Sequence, residues 1–191
     1  MIKQKELSRR NFIRNTLAGV GAGIGASVIP SLAEARVMDM PDMSTYNISF
    51  RNQHTGESFS GVYRTNGRYL PDAFEKINYI LRDFRTGDVF PIDPRTIDIL
   101  FMIRHKLNQN DYPYEILSGY RSPKTNAMLS RISTGVATNS LHMTGQAIDI
   151  RLPGYKTSAV RRAAISLKAG GVGYYPKSNF VHVDTGRPRN W

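Results

Sequence analysis

Apolar and polar positions alternate or recur with enough regularity to divide most of the chain into elements. In "YNISFRN" (46–52) Tyr46, Ile48 and Phe50 alternate with polar residues, which predicts a strand, and "HTGE" supplies the turn after it. Residues 61–69 suggest a second short strand. From Asp72 to Phe84 the apolar residues Ala73, Ile77, Ile80 and Phe84 fall at helical spacing, with Gly87 just beyond. Asp93-Pro94 offers a cap followed by proline at the first helical position, opening a helix to about Leu107. Ile97, Leu100, Phe101 and Leu107 form its apolar stripe. "YEILS" (114–118) is a strand, and Ser122-Pro123 caps a short helix. "QAIDIRL" (146–152) is again a strand. Ser158 to Lys168 is a helix closed by Gly170-Gly171. "GVGYY" and "NFVHVD" are two final strands around the turn "PKSN". Helices mostly early and strands concentrated late predict an α+β domain, a small antiparallel sheet with helices packed on one side.

The first 35 residues break this pattern. A charged start containing Arg9 and Arg10 leads into a mildly apolar, glycine-rich run from Thr16 to Ile29, then Pro30 and Ala33-Glu34-Ala35. This is the layout of a secretory signal with an A-x-A cleavage site. "SRRNF" resembles a twin-arginine signal, which implies the twin-arginine export machinery as a partner and the periplasm as destination. The run is too weakly hydrophobic for a lasting membrane span. The organisation expected is a signal over 1–35, a linker over 36–45 and one domain over 46–191.

Charge narrows the partners. Residues 1–35 hold five of the 26 basic and two of the 15 acidic residues, so 21 and 13 remain in the rest. The domain is basic in its own right and suits an anionic partner. No basic run interleaved with aromatics points to nucleic acid. The absence of cysteine removes disulfides, thiolate metal sites and a cysteine nucleophile.

The chemistry concentrates in "NSLHMTGQAIDI" and "NFVHVD". Strand alternation puts Ile148 and Ile150 on one face and Asp149 on the other; Val181 and Val183 likewise oppose His182 and Asp184. If the strands are neighbours, Asp149 and His182 converge, and Gly145 permits a bend that brings His142 back toward them. Two imidazoles and a carboxylate are the count for a catalytic zinc with one open position, and too few oxygens for Mg²⁺ or Ca²⁺. Each residue also has an ordinary reading: a hydrogen-bonded structural histidine, or an aspartate paired with one of the many arginines.

"SLHMTGQAID" matches S-x-H-x-x-G-x-A-x-D through Ser140, His142, Gly145, Ala147 and Asp149. With "SGYRS" (118–122) upstream and "GGVGYYPKSNFVHVDTGRPRNW" downstream, the chain from about residue 46 resembles the zinc D-Ala-D-Ala metallopeptidases of the M15 type, in particular their exported murein endopeptidases. The resemblance implies Zn²⁺ held by His142, Asp149 and His182, and murein endopeptidase activity on the peptide cross-links between peptidoglycan stem peptides. It implies Arg121 as a substrate or oxyanion contact. Ser140, Tyr120 and Tyr175 are candidates for lining the substrate groove.

One part of the pattern is missing. Many such peptidases carry an acidic general base three positions before the last histidine, where this chain has Asn179; others use a histidine two positions before it, where this chain has Phe180. Asp184, on the same strand face as His182, is the substitute, either as general base or as the carboxylate that orients the imidazole. A base supplied by Asp149 or by the zinc-held hydroxide alone is a third route. Asn179 also leaves open a non-catalytic, zinc-containing peptidoglycan-binding domain.

Overall fold

The structure is a computed structural model, and it describes residues 38–108, 112–133 and 135–191. In chain order its elements are β1 (Thr45–Asn52), β2 (Ser58–Thr65), β3 (Arg68–Tyr69), α1 (Pro71–Ile80), α2 (Pro94–Lys106), β4 (Tyr114–Ser118) and α3 (Pro123–Ile132). A 3₁₀ turn (Leu141–Thr144), β5 (Ala147–Arg151), α4 (Thr157–Leu167), β6 (Gly171–Tyr175), β7 (Phe180–Asp184) and β8 (Arg189–Asn190) complete it.

The strands form one sheet in the order β3-β2-β1-β4-β5-β7-β6-β8. The α+β class is as expected, but the sheet has eight strands and is mixed. β1 runs parallel to β4, and β6 parallel to β8; the other five pairings are antiparallel. Both parallel partners are far apart in sequence or too short to alternate, so no periodicity announces them.

One face of the sheet carries Ile48, Phe50, Tyr63, Tyr114, Ile116, Ile148, Ile150, Val181 and Val183, each at most 1% exposed. Against it pack α1, which lies on β2, and α2 and α4, which lie on each other and on β1, β6 and β7. Removing this apolar surface from water, at roughly 25 cal/mol per Å², is the main drive for the fold. The caps behave as expected. The Asp93 carboxylate accepts from Arg95 N (3.0 Å) with Pro94 at the first position, and Ser122 Oγ accepts from Thr125 N (3.2 Å).

The helix expected over 72–84 stops at Ile80. Asp83 is buried and its carboxylate accepts from the backbone of Arg85 (2.9 Å) and Ser122 (2.8 Å), which pulls the chain into a turn. Phe84 therefore leaves the helical stripe and stacks on His54, ring centroids 3.8 Å apart.

Arg36–Trp191 forms one compact unit. Within the stretch expected as linker, residues 38–44 have no helix or strand, yet Met38 and Met40 pack on the core and Tyr46 Oη donates to Pro41 O (2.6 Å). The signal expected over 1–35 lies outside the described residues.

Candidate metal centre

The face of the sheet opposite the helices carries the polar residues of β5 and β7. In the antiparallel register of these strands Asp149 stands directly opposite His182. His142 comes from outside the sheet. Ser140 Oγ accepts from His142 N (3.3 Å) and caps the 3₁₀ turn, and Gly145 ends it in the left-handed region with φ 67°. A Cβ at position 145 would also stand 2.1 Å from Pro91 O, so the position excludes a side chain twice over. The bend anticipated at Gly145 is thus present, and it delivers His142 to the strand pair.

His142 Nε2 lies 3.2 Å from His182 Nδ1 and 3.3 Å from Asp149 Oδ1, and His182 Nδ1 lies 2.9 Å from the same oxygen. One donor atom from each of the three residues lies within 4.8 Å of the others, and all three residues are buried. The outer nitrogens are committed. His142 Nδ1 donates to Gly119 O (2.7 Å), and His182 Nε2 donates to Asp184 Oδ2 (3.0 Å). These bonds fix the tautomers, leaving His142 Nε2 and His182 Nδ1 to face each other and Asp149.

The electrostatics agree with that assignment. Burial drives the His142 imidazole down, so it stays neutral. Burial also opposes charge on His182, but hydrogen bonds to Asp149 and Asp184 raise it to about 9. Burial opposes charge on Asp149 as well, yet His142 and His182 hold its carboxyl well below the usual range. The result is a carboxylate, a neutral imidazole lone pair and an imidazole whose inward proton a cation can replace. Two nitrogens and an oxygen, each with a supported orientation, fit a divalent metal of borderline softness.

The expected site residues separate into those that meet here and those that do not. A cleft of about 300 Å³ opens over the three donors, and Arg121, Ser140 and Tyr175 line it. Arg121 Nη2 is 3.6 Å from Asp149 Oδ2, and the side chain is 11% exposed. Tyr120 is not a lining residue: it is turned onto Phe90 in a parallel stack, centroids 4.9 Å apart. Asn179 is also outside the lining. It adopts φ 52°, its side chain contacts Thr157 Oγ1, and its carbonyl accepts from Arg151 Nε (2.8 Å).

Asp184 is fully buried behind His182. Its Oδ1 accepts from Gly171 N and Gly186 N (both 2.9 Å) and Arg189 Nη1 (3.1 Å), while Oδ2 accepts from His182 Nε2 and Arg189 Nη2 (2.8 Å). Burial opposes its charge, but the bonds from His182, Arg189 and the two backbone N–H groups keep it well below the usual carboxylate range. Sequence reasoning missed Arg189, Trp191 and Phe180 as cleft residues. Trp191 carries a weak signal, as the chain's one tryptophan.

Fold and donor set describe an α+β protein with a candidate metal site, and comparison with known proteins narrows this. Residues 41–191 match the family model described as peptidoglycan L,D-endopeptidase MepK. The chain is 41% identical over 179 residues to the peptidoglycan L,D-endopeptidase MepK of Escherichia coli strain K12, covering 93% of this chain and 96% of that protein. It is 40% identical over 178 residues to a probable peptidoglycan L,D-endopeptidase MepK of Haemophilus influenzae, covering 93% and 94%. The chain belongs to the MepK family of peptidases, as the sequence resemblance implied.

Proposed function

We propose that this chain is a zinc-dependent murein endopeptidase that hydrolyses peptide cross-links of the cell wall. The observation that carries the reading is the buried His142–Asp149–His182 set at the floor of a cleft, in a chain that matches the MepK relatives over almost its whole length. The relatives are L,D-endopeptidases by name, so the L,D cross-link is the first substrate to test. The donor set, with no thiolate and one carboxylate, suits zinc. His142 Nε2, His182 Nδ1 and an Asp149 oxygen would hold it, and when bound it supplies Lewis-acid chemistry: a more acidic water and a polarised scissile carbonyl.

The chain's own residues do the rest. Arg121 sets a guanidinium beside Asp149 at the cleft wall, where it can hold a substrate carboxylate or offset the charge growing on the scissile oxygen. Asp184 acts as the orienting carboxylate, because each of its oxygens already accepts from its neighbours and His182 stands between it and the cleft. Asp149 is the one carboxylate among the described cleft-lining residues, but the two imidazoles hold its carboxyl low and Arg121 faces its Oδ2, which suits it to hold the metal rather than to take a proton. The alternative of a non-catalytic binding domain rested on the missing acidic residue at Asn179; the likeness to relatives named as endopeptidases over almost the whole chain does not favour it.

The test is digestion of purified sacculi. The zinc-loaded protein is expected to release cross-linked muropeptides as monomers, and chelation to stop this until zinc is restored. Retention on sacculi with no cleavage in any metal state would transfer the chain to the binding-domain reading.

Murein lies outside the cytoplasm, so this activity supports an extracytoplasmic location, which we read as the periplasm. No helix among the described residues is long and apolar enough to cross a membrane. We assign export to the twin-arginine route on the strength of "SRRNF". Arg9→Lys with Arg10→Lys preserves charge, and the doubly substituted precursor is expected to accumulate in the cytoplasm. Normal periplasmic recovery of that variant would replace this route with the general secretory one.

A further inference from the structure

The last described strand is only two residues long, yet two glycines of its neighbour are shaped around it. In β6 a Cβ on Gly171 would stand 2.3 Å from Arg189 Nη1 and 2.4 Å from Asp184 Oδ2, and a Cβ on Gly173 would stand 2.8 Å from Trp191 Cε2. Neither glycine has a positive φ. Their use is space: glycine weakens a strand interior and is found where another group approaches closely. The "GVG" of β6 is thus a socket for the "R-N-W" of residues 189–191.

Two side chains occupy that socket. Arg189 grips Asp184 with both terminal nitrogens, at 3.1 and 2.8 Å, and Asp184 in turn accepts from His182 Nε2. Trp191 is fixed by its backbone, whose N donates to Val172 O (3.2 Å) and whose O accepts from Tyr174 N (2.9 Å). Its Nε1 donates to Tyr175 Oη (3.0 Å), and the Arg189 guanidinium lies 4.9 Å from its ring centroid. So held, the indole stands 5.4 Å from the His182 ring and lines the cleft while still 47% exposed. A large apolar face that is pinned on one side and open on the other is suited to packing against a bound chain.

We propose that residues 189–191 form a strap in which Arg189 holds His182 in its ligating orientation through Asp184, while the Trp191 indole is the wall against which the substrate peptide packs. Arg189 is a positioning residue; Trp191 is a substrate-contacting one. The proposal rests on the peptidase reading for the identity of the peptide, but not for the metal arm.

The two halves give different readouts. Arg189→Met is expected to weaken zinc by up to about tenfold in competition with a chromogenic chelator, below the 10–100-fold range for loss of a metal-bound histidine's own outer partner, with Arg189→Lys intermediate. Zinc affinity equal to wild type in a folded Arg189→Met protein overturns the positioning role, whatever the enzyme cleaves. Trp191→Ala is expected to raise KM for a cross-linked muropeptide dimer about tenfold with kcat nearly unchanged and zinc affinity intact, and Trp191→Phe to recover most of it. A fall in kcat at constant KM, or no change in either, overturns the wall. Because Trp191 is the only tryptophan, its fluorescence reports the strap directly. Gly173→Ala is expected to shift its emission to the red and to reproduce the KM effect of Trp191→Ala; an unshifted spectrum overturns the socket. If the wild-type protein cleaves no muropeptide, the peptidase reading falls, and quenching of Trp191 by added muropeptide then decides the wall, its absence overturning it.

Discussion

His182→Ala is expected to abolish metal binding and murein cleavage together. The two remaining donors, His142 Nε2 and Asp149, cannot close a site, and the loss exceeds the 10–100-fold expected from removing a mere supporting partner. Equilibrium dialysis followed by elemental analysis checks it; a near-stoichiometric metal content in the variant would sink the assignment of all three ligands. The same residue sets the pH dependence in the wild type. Burial opposes its charge, but hydrogen bonds to Asp149 and Asp184 raise its imidazole to about 9, so at pH 7 the metal-free protein is expected to carry a proton on His182 Nδ1 that the metal must displace. Binding is therefore expected to release close to one proton at pH 7, and affinity to rise about tenfold per pH unit until about pH 9, then level off. Calorimetry in buffers of different ionisation enthalpy counts that proton. The sign for stability is opposite. The raised value means that the His182 ion pairs stabilise the metal-free fold fully below its unfolded value of about 6.5, and that this contribution is lost as pH climbs toward 9.

Asp184→Asn is expected to cost metal affinity about 10–100-fold, while the turnover of whatever protein remains loaded stays within about tenfold of wild type. An amide in this place cannot satisfy its neighbours. All five hydrogen bonds to Asp184 arrive from donors, namely His182, Arg189 twice, and the backbone of Gly171 and Gly186. An NH₂ group must face some of them. Turned toward His182, it would move the imidazole proton to Nδ1, the ligating atom; turned toward the glycines, it would leave the buried Gly171 N–H and the half-buried Gly186 N–H without acceptors. The second arrangement costs roughly 1–3 kcal/mol of stability per unsatisfied group, so a lower melting temperature should accompany the weaker binding. A general base would behave differently: kcat would drop about 10²–10⁴-fold in fully loaded protein, with affinity untouched. That result would return Asp184 to the catalytic role the sequence left open.

The sequence made the centre legible because a strand's period is two. Asp149, His182 and Asp184 share a face by alternation alone, and the structure pairs Asp149 with His182 in register. Alternation cannot tell which ring nitrogen a neighbour meets. The difference between a base and an orienting group lay in that detail, since Asp184 reaches Nε2 behind the ring and not the cleft. Tyr120 shows a second limit. It adjoins Arg121 in sequence, but its ring is claimed by Phe90 from a distant loop, a contact no local pattern encodes. Phe84 is a third case, at helical spacing yet spent on His54. The strap was hidden for another reason. Two residues cannot display a period, so only the paired glycines of "GVG" pointed to it, and they resemble turn residues until the close approach is seen.

The strands at the two ends of the sheet, β3 and β8, have two residues each, whereas β1 and β2 have eight. Free backbone N–H and C=O groups along a sheet edge are a template on which another chain can add itself, and natural proteins blunt them with short edge strands. β3 covers only Arg64 and Thr65 of β2 at one end; at the other, a neighbouring copy seeking to extend the sheet meets the two rungs of β8, with the Arg189 and Trp191 side chains beside them. The segment proposed to steady His182 therefore also ends the ladder on its side of the sheet, which blunts that edge against strand addition.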